Sequence, residues 1–298
     1  MIDAPTRYRR FRRTALVVAS LSLAAGALTA CASSPASAAP ARSSAASGLH
    51  MISNNGHKLA FHVTAGHQPA IVLEAGGGND STYWKKFVPE LSSKTGSEII
   101  TYDQAGMGQS ESVPGPFNAR DAASDLAAGL KALGITHDAI LVPHSEAGEI
   151  ATYLVNDDPG VVSGAVLVDA SLPQLYTAQE TKRIVALNTP GVEALEKQKK
   201  LTKGDRQLIA MADNYGPAQR AYHSTSWPQN VPAIAIVSAA TPFPTKFDAG
   251  KWRDAQAEFV KAAPNRSLVT AAHSSHDVPL DRPGLVIDEI QHMLKDVG

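Results

Sequence analysis

Five short apolar runs constrain this chain more than any other feature. Ala70–Leu73, Glu98–Tyr102, Ala139–Val142, Gly164–Val168 and Ala233–Val237 are each four or five residues long and rich in β-branched side chains. Each gives way to Gly, Asp, Ser or Pro within a few residues. Runs of that length read as strands buried on both faces. Between them lie stretches with helical spacing: Tyr83–Leu91, a segment carrying Ala122, Leu126, Leu130 and Leu133 behind the capping residue Asn118, then Glu149–Val155, Lys251–Ala262 and Leu285–Leu294. A further strand is expected at Ser267–Thr270. Strands that alternate with helices form a mostly parallel sheet covered on both faces. An antiparallel hairpin precedes them, because Asn54-Asn55-Gly56 joins two extended segments, His50–Ser53 and Lys58–Val63. The alternation breaks between Ser171 and Gln229, where only helical stretches such as Ala178–Leu187 and Asp205–Met211 are legible. The fold class is thus α/β, with a helical cap insertion at about 171–229.

In parallel sheets ligands bind at the carboxyl ends of the strands. The residues that follow the runs are therefore candidates for chemistry: Gly76-Gly77-Gly78, Ser145, Asp169 and the loop holding His273 and His276. Pro143-His144-Ser145-Glu146-Ala147 forms a tight strand-to-helix turn that pushes a serine hydroxyl out of the sheet. The positions two before and two after such a serine are usually glycine, because the two backbones nearly touch there. Ala147 is a mild departure. Pro143 is a larger one, tolerable where the strand has stopped pairing, since proline has no N–H.

The rest of the chain sets the context. With 298 residues, 44% hydrophobic and 18% charged, it suits one globular domain with a sizeable core. A net charge of −1 lends no support to nucleic-acid binding. Residues 1–30 read as a signal peptide, with Arg9, Arg10, Arg12 and Arg13 ahead of the apolar stretch Thr14–Ala30. The paired arginines also leave twin-arginine export open. Leu28-Thr29-Ala30-Cys31 resembles the bacterial lipoprotein box, which makes Cys31 a lipidation site and the mature N-terminus. Ala36-Ser37-Ala38 offers an ordinary cleavage site instead. Cys31 is the sole cysteine, so no intrachain disulfide forms. Residues 31–48 are an Ala/Ser/Pro-rich tether, and 49–298 form the folded domain. Removing residues 1–30 takes five arginines and Asp3 from totals of 27 basic and 28 acidic residues, leaving a mature net charge of −5.

Four motifs in order carry a resemblance to a known family. They are Leu73-Glu74-Ala75-Gly76-Gly77 with Trp84 downstream, Tyr102-Asp103-Gln104-Ala105-Gly106-Met107-Gly108-Gln109-Ser110, the Pro143–Ala147 turn, and His276-Asp277-Val278-Pro279-Leu280-Asp281-Arg282-Pro283. From about residue 49 onward the chain resembles capped α/β-hydrolases with a serine nucleophile. The resemblance implies an esterase or lactonase working through an acyl-enzyme. Ser145 would be the nucleophile and His276 the base that activates it. The backbone amides of Gly77 and Glu146 would form the oxyanion hole. The family's histidine before the first glycine is Ala75 here.

The acid is the least determined role. The loop after Ala233–Val237, where relatives more often carry it, is Ser238–Pro244 and has no carboxylate. Asp169 stands at the end of the preceding strand, where haloalkane dehalogenases and zearalenone lactonases carry theirs, and is the expected partner of His276. Asp248 is the alternative, with helix capping as its ordinary role. Glu146 reads either as a solvated or capping anion or as a group that disfavours anionic substrates or bonds a polar one. His144 is expected to pack or to bond a neighbouring loop. The chain shows no cofactor motif, since no Walker lysine or G-x-G-x-x-G follows Gly76-Gly77-Gly78, and His273 with His276 lacks a spaced third metal ligand. The expected partner is a small ester or lactone, with membrane anchoring through a lipid on Cys31. Two other readings stand beside hydrolysis: a binding protein that kept the pocket without the chemistry, and a cofactor-free haloperoxidase or perhydrolase.

Overall fold

The computed structural model describes residues 45–298. The leader, Cys31 and most of the tether lie outside the described residues. Within them the first strands are β1 (Gly48–Asn54), β2 (His57–Thr64), β3 (His67–Glu74) and β4 (Ser97–Tyr102), with a 3-10 turn Ser81–Trp84 and helix α1 (Phe87–Thr95) between β3 and β4. Then come α2 (Ala119–Ala132), β5 (Ala139–Pro143), α3 (Ala147–Asp157), β6 (Val162–Val168), α4 (Ala178–Glu196), α5 (Lys203–His223), β7 (Ala233–Ser238), α6 (Lys246–Lys261), β8 (Arg266–Ala271), α7 (Val278–Asp281) and α8 (Pro283–Val297).

The strands form one sheet in the order β1-β2-β4-β3-β5-β6-β7-β8. The β1–β2 and β2–β4 pairs are antiparallel, and every later pair is parallel. The expected hairpin is present: Asn55 and Gly56 both have positive φ, 46° and 85°, the conformation that lets a two-residue turn match strand twist. Side chains alternate between two cores as the period of two requires. Ala139 and Leu141 of β5 face a core shared with Leu126, Leu130, Ile150 and Phe259. Ile140 and Val142 face the opposite core, shared with Leu91, Ile287, Ile290 and Met293. Helices therefore cover both faces.

The strand order reverses between β3 and β5, which are neighbours in the sheet although β4 lies between them in the chain. A crevice opens at such a switch point, beyond the carboxyl ends of the strands. The Gly76–Gly78 loop leaves β3 there, and Ser145 follows β5. Pro143 remains in register with Glu74 of β3, so the strand has not stopped pairing as expected; pairing lapses only on its other side, toward β6. The β5–β6 ladder stops at Leu141 opposite Ala165 and resumes only as a single bridge between His144 and Val168.

Element boundaries differ from the sequence reading where caps override periodicity. The expected helix Tyr83–Leu91 splits, because Asp80 caps a 3-10 turn before α1 begins. α6 starts at Lys246 rather than Lys251, since the Thr245 side chain accepts from the Asp248 amide. α4 and α5 run well past the legible stretches and continue through Pro190 and Pro217. The start of α5 is fixed by a capping box between Thr202 and Asp205.

The two-sided core yields a stability prediction. Leu126 is fully buried between α2 and the sheet, so Leu126→Ala should cost about 2–5 kcal/mol in chemical denaturation. Leu49, 47% exposed on the edge strand, should cost less than about 0.5 kcal/mol on truncation.

Candidate active site

The turn after β5 places Ser145 in the left-handed region, with φ of 57°. That strain is a cost a side chain bears where the surroundings over-determine it. Two close approaches hold the turn. A Cβ on Gly76 would sit 2.7 Å from the Ser145 Cβ, so only glycine fits opposite the serine. A Cβ on Gly148 would sit 2.4 Å from the Ser171 carbonyl oxygen. The contact that usually demands glycine two residues after the serine falls here one residue later, which is why Ala147 is accommodated.

His276, in the loop between β8 and α7, completes the contact. Ser145 Oγ lies 2.8 Å from His276 Nε2. His276 Nδ1 lies 2.7 Å from Asp169 Oδ2. A carboxylate only accepts, so Nδ1 carries the proton and Nε2 presents its lone pair to the serine hydroxyl.

Asp169 is fully buried at the end of β6, with φ of 41°. Its Oδ1 accepts from the Ser238 amide at 3.0 Å and from Trp252 Nε1 at 2.8 Å. Its Oδ2 accepts from Ser238 Oγ at 2.6 Å as well as from His276. The loop that lacks an acid thus supplies donors to the acid on the neighbouring strand. Asp248 is engaged elsewhere: it bonds Thr245 at the start of α6 and takes Arg183 Nη2 at 2.7 Å. Sequence reasoning missed Ser238 and Trp252, because a hydroxyl and an indole carry no motif.

His144 bonds a neighbouring loop, as expected: its Nε2 lies 3.0 Å from the His276 carbonyl oxygen. Its ring stacks on Tyr83 at 5.0 Å and meets the His276 ring at 4.8 Å. Burial and the adjacent His276 lower its pKa to about 4, so it stays neutral and acts as a prop.

Gly77 follows the glycine that abuts Ser145 and Glu146 follows the serine itself, and among the described residues neither backbone amide donates to another protein group. The side chain of Glu146 departs from the sequence reading. It is buried rather than solvated and makes no capping hydrogen bond. Its Oε2 meets Gln104 Nε2 at 3.5 Å, and its Oε1 has no protein partner. Glu149 is buried one turn later and takes Gln219 Nε2 at 2.8 Å. Glu74, at the end of β3, is buried with both oxygens unpartnered. Burial raises the pKa of all three carboxyls, and mutual repulsion, of Glu146 on Glu74 and of Glu149 on Glu146, adds to it for those two.

A cleft of about 680 Å³ lies between α4 and α5, lined by Val185, Val192, Leu195, Leu208, Met211 and Tyr215 among others. Two of its lining residues, Met211 and Leu208, also abut Gly77 and Gly78, so their side chains stand between the cleft and the loop beside Ser145. Among the described residues no group of three or more His, Cys, Asp or Glu side chains is arranged to hold a metal ion.

The buried acids predict a pH dependence. An acid whose folded pKa is raised keeps its proton in the folded chain after the unfolded chain has lost it. Folded stability then falls as pH rises from the unfolded value of 4.5 through the raised folded one. The wild-type melting temperature should therefore drop from about pH 5 to about pH 8, and Glu146→Gln should melt higher than wild type at the upper end and show a shallower drop. Parallel slopes for the two proteins would place the titration elsewhere.

Comparison with known proteins places the chain. The model of the alpha/beta hydrolase family matches residues 71–289. A Caulobacter segnis protein described as "Putative carbamate hydrolase RutD" is 26% identical over 215 residues, 70% of this chain and 75% of the relative. Among solved structures, a thermophilic esterase from Thermogutta terrifontis superposes with a TM-score of 0.59 at 19% identity, covering 84% of this chain and 99% of that one. The enol-lactonase from Burkholderia xenovorans LB400 gives 0.56 at 18% identity, covering 83% of this chain and all of that one (100%). At these identities the structures speak to the fold, and the family match spans most of the domain. The chain belongs to the alpha/beta hydrolase family.

Proposed function

We propose that this protein is a serine hydrolase that cleaves a carboxylic ester or lactone through an acyl-enzyme. The observation that carries the reading is the unbroken chain of hydrogen bonds from Ser145 Oγ through His276 to buried Asp169. His276 Nε2 takes the hydroxyl proton as Ser145 Oγ forms a bond to the substrate carbonyl carbon. The carbonyl oxygen becomes an oxyanion within reach of the Gly77 and Glu146 amides, where the start of α3 adds a favourable dipole. Collapse of this intermediate breaks the bond to the leaving alkoxide, which takes the proton from imidazolium. A water then repeats the cycle on the acyl-enzyme and releases the acid. Asp169 keeps the imidazole in the required tautomer and stabilises the imidazolium.

The apolar cleft between α4 and α5, two of whose lining residues abut Gly77 and Gly78, suits an aliphatic or aromatic group on one side of the scissile bond. The esterase and lactonase among the structural neighbours fit this chemistry. A carbamate belongs in the substrate panel beside p-nitrophenyl esters and lactones, given the relative described as a carbamate hydrolase.

On whichever panel substrate turns over, Ser145→Ala should lose at least about a thousand-fold in kcat. Asp169→Asn should lose kcat severely with its circular dichroism unchanged, while Asp248→Asn should change kcat little. Near-normal turnover in Ser145→Ala, or the reverse ranking of the two Asp variants, would reject the assignment.

We also propose that the chain is exported and carries a lipid on Cys31, on the strength of the leader and the box ahead of that cysteine. Fatty-acid labelling in a bacterial host should tag wild type and spare Cys31→Ser. Absence of label from both would leave an unlipidated form.

A further inference from the structure

Ala75 stands where relatives place a histidine before the first glycine of the loop, so this loop lacks that orienting side chain. Two buried glutamines reach it instead. Gln104, which follows β4, is 4% exposed, and its Nε2 donates to the Ala75 carbonyl at 3.1 Å. Gln207, on α5, is 6% exposed, and its Oε1 accepts from the Gly78 amide at 2.7 Å. The two side chains are joined: Gln207 Nε2 donates to Gln104 Oε1 at 2.6 Å. The backbone partners fix both amide orientations, because the Ala75 carbonyl only accepts and the Gly78 N–H only donates. Residues 75 and 78 are thus pinned on either side of Gly77, whose amide is one oxyanion donor in the reading above. Gln104 Nε2 also lies 3.5 Å from Oε2 of Glu146, the residue supplying the second donor. The relay starts at the core, runs through the inserted helix and returns to the loop.

We propose that Gln104 and Gln207 are positioning residues for the oxyanion pocket, and that helix α5 completes the pocket as well as covering it. A preorganised donor acts only if it is held where charge develops, so loosening the loop should weaken binding of a tetrahedral adduct. The inference rests on Ser145 acting as nucleophile.

The test is the affinity of the full domain for phenylboronic acid, measured by titration calorimetry. The boron bonds to Ser145 Oγ and its tetrahedral oxygen occupies the oxyanion pocket, so no substrate need be known. Wild type should bind and Ser145→Ala should not. Gln104→Leu and Gln207→Leu should each bind about tenfold to a hundredfold more weakly, below the full loss of one donor. Because both act through one relay, the double variant should bind about as weakly as the weaker single one. Gln207→Glu keeps the shape and the acceptor toward Gly78 and should fall between wild type and Gln207→Leu. Lys203→Met removes a different tether of α5, from Lys203 Nζ to the Gly108 carbonyl, and should leave affinity unchanged.

Binding absent from wild type, or undiminished in Ser145→Ala, would overturn the nucleophile reading and this inference with it. Ser145-dependent binding that stays equally tight in both leucine variants would overturn the inference alone, even if their melting temperatures fall. So would losses that multiply in the double variant.

Discussion

The site depends on one hydrogen bond, between His276 Nδ1 and Asp169 Oδ2 at 2.7 Å. It requires a fully buried carboxylate, which is costly unless every lone pair is met. The fold meets that cost locally. Ser238 contributes an amide and a hydroxyl from the end of β7, and Trp252 contributes its indole N–H from α6. With His276 they account for the four acceptor directions of a carboxylate. Asp169 is thereby locked in direction, and it locks the imidazole in turn. His144 lies against the other flank of that ring and bonds its backbone carbonyl, and Tyr83 stacks on His144 from behind. Both Ser145 and Asp169 have positive φ, so the two ends of the chain of bonds sit in strained backbone that the surrounding sheet enforces.

Electrostatics around this centre run against stability. Glu74, Glu146 and Glu149 are buried close behind the serine, and two of them present oxygens without a protein partner. An apolar replacement would fold more readily, since a buried unpaired polar group costs free energy. Burial raises the pKa of all three, whereas Asp169 beside them has every lone pair met by a donor. Asp103 shows the opposite solution on the same sheet edge: burial would raise its pKa, but bonds from His62 and from the Gln109 and Ser81 amides lower it overall. Environment, not residue type, decides which acids here carry charge.

Much of this arrangement is legible in the sequence, for physical reasons. Buried strands announce themselves because both faces must be apolar, and the residues ending them must lie on one edge once the sheet is parallel. Ser145, His276 and Asp169 are candidates on that ground, and the family resemblance, with no carboxylate in Ser238–Pro244, is what favours Asp169 over Asp248. What the sequence conceals is partnership across distance. Ser238 and Trp252 look like ordinary strand-end and helix residues until β6, β7 and α6 are assembled. Gln207 lies in a helix whose full length is hidden by Pro217 and whose start is set by Thr202 and Asp205. The solvated or capping role considered for Glu146 fails because nothing local reveals its burial beside Gln104. Helix lengths slip for the same reason: capping side chains and tertiary packing override the apolar period.

The central claim is that Ser145, alone among the serines, is a nucleophile because His276 removes its proton. Peptide mapping by mass spectrometry after treatment with a fluorophosphonate tests it most directly, since the reagent bonds covalently to an activated serine oxygen. The account predicts one adduct per chain, on the peptide containing Ser145, absent from Ser145→Ala and nearly absent from His276→Ala. An unmodified Ser145 peptide under conditions that saturate a control serine esterase, or an adduct that persists in His276→Ala at the wild-type rate, would contradict it.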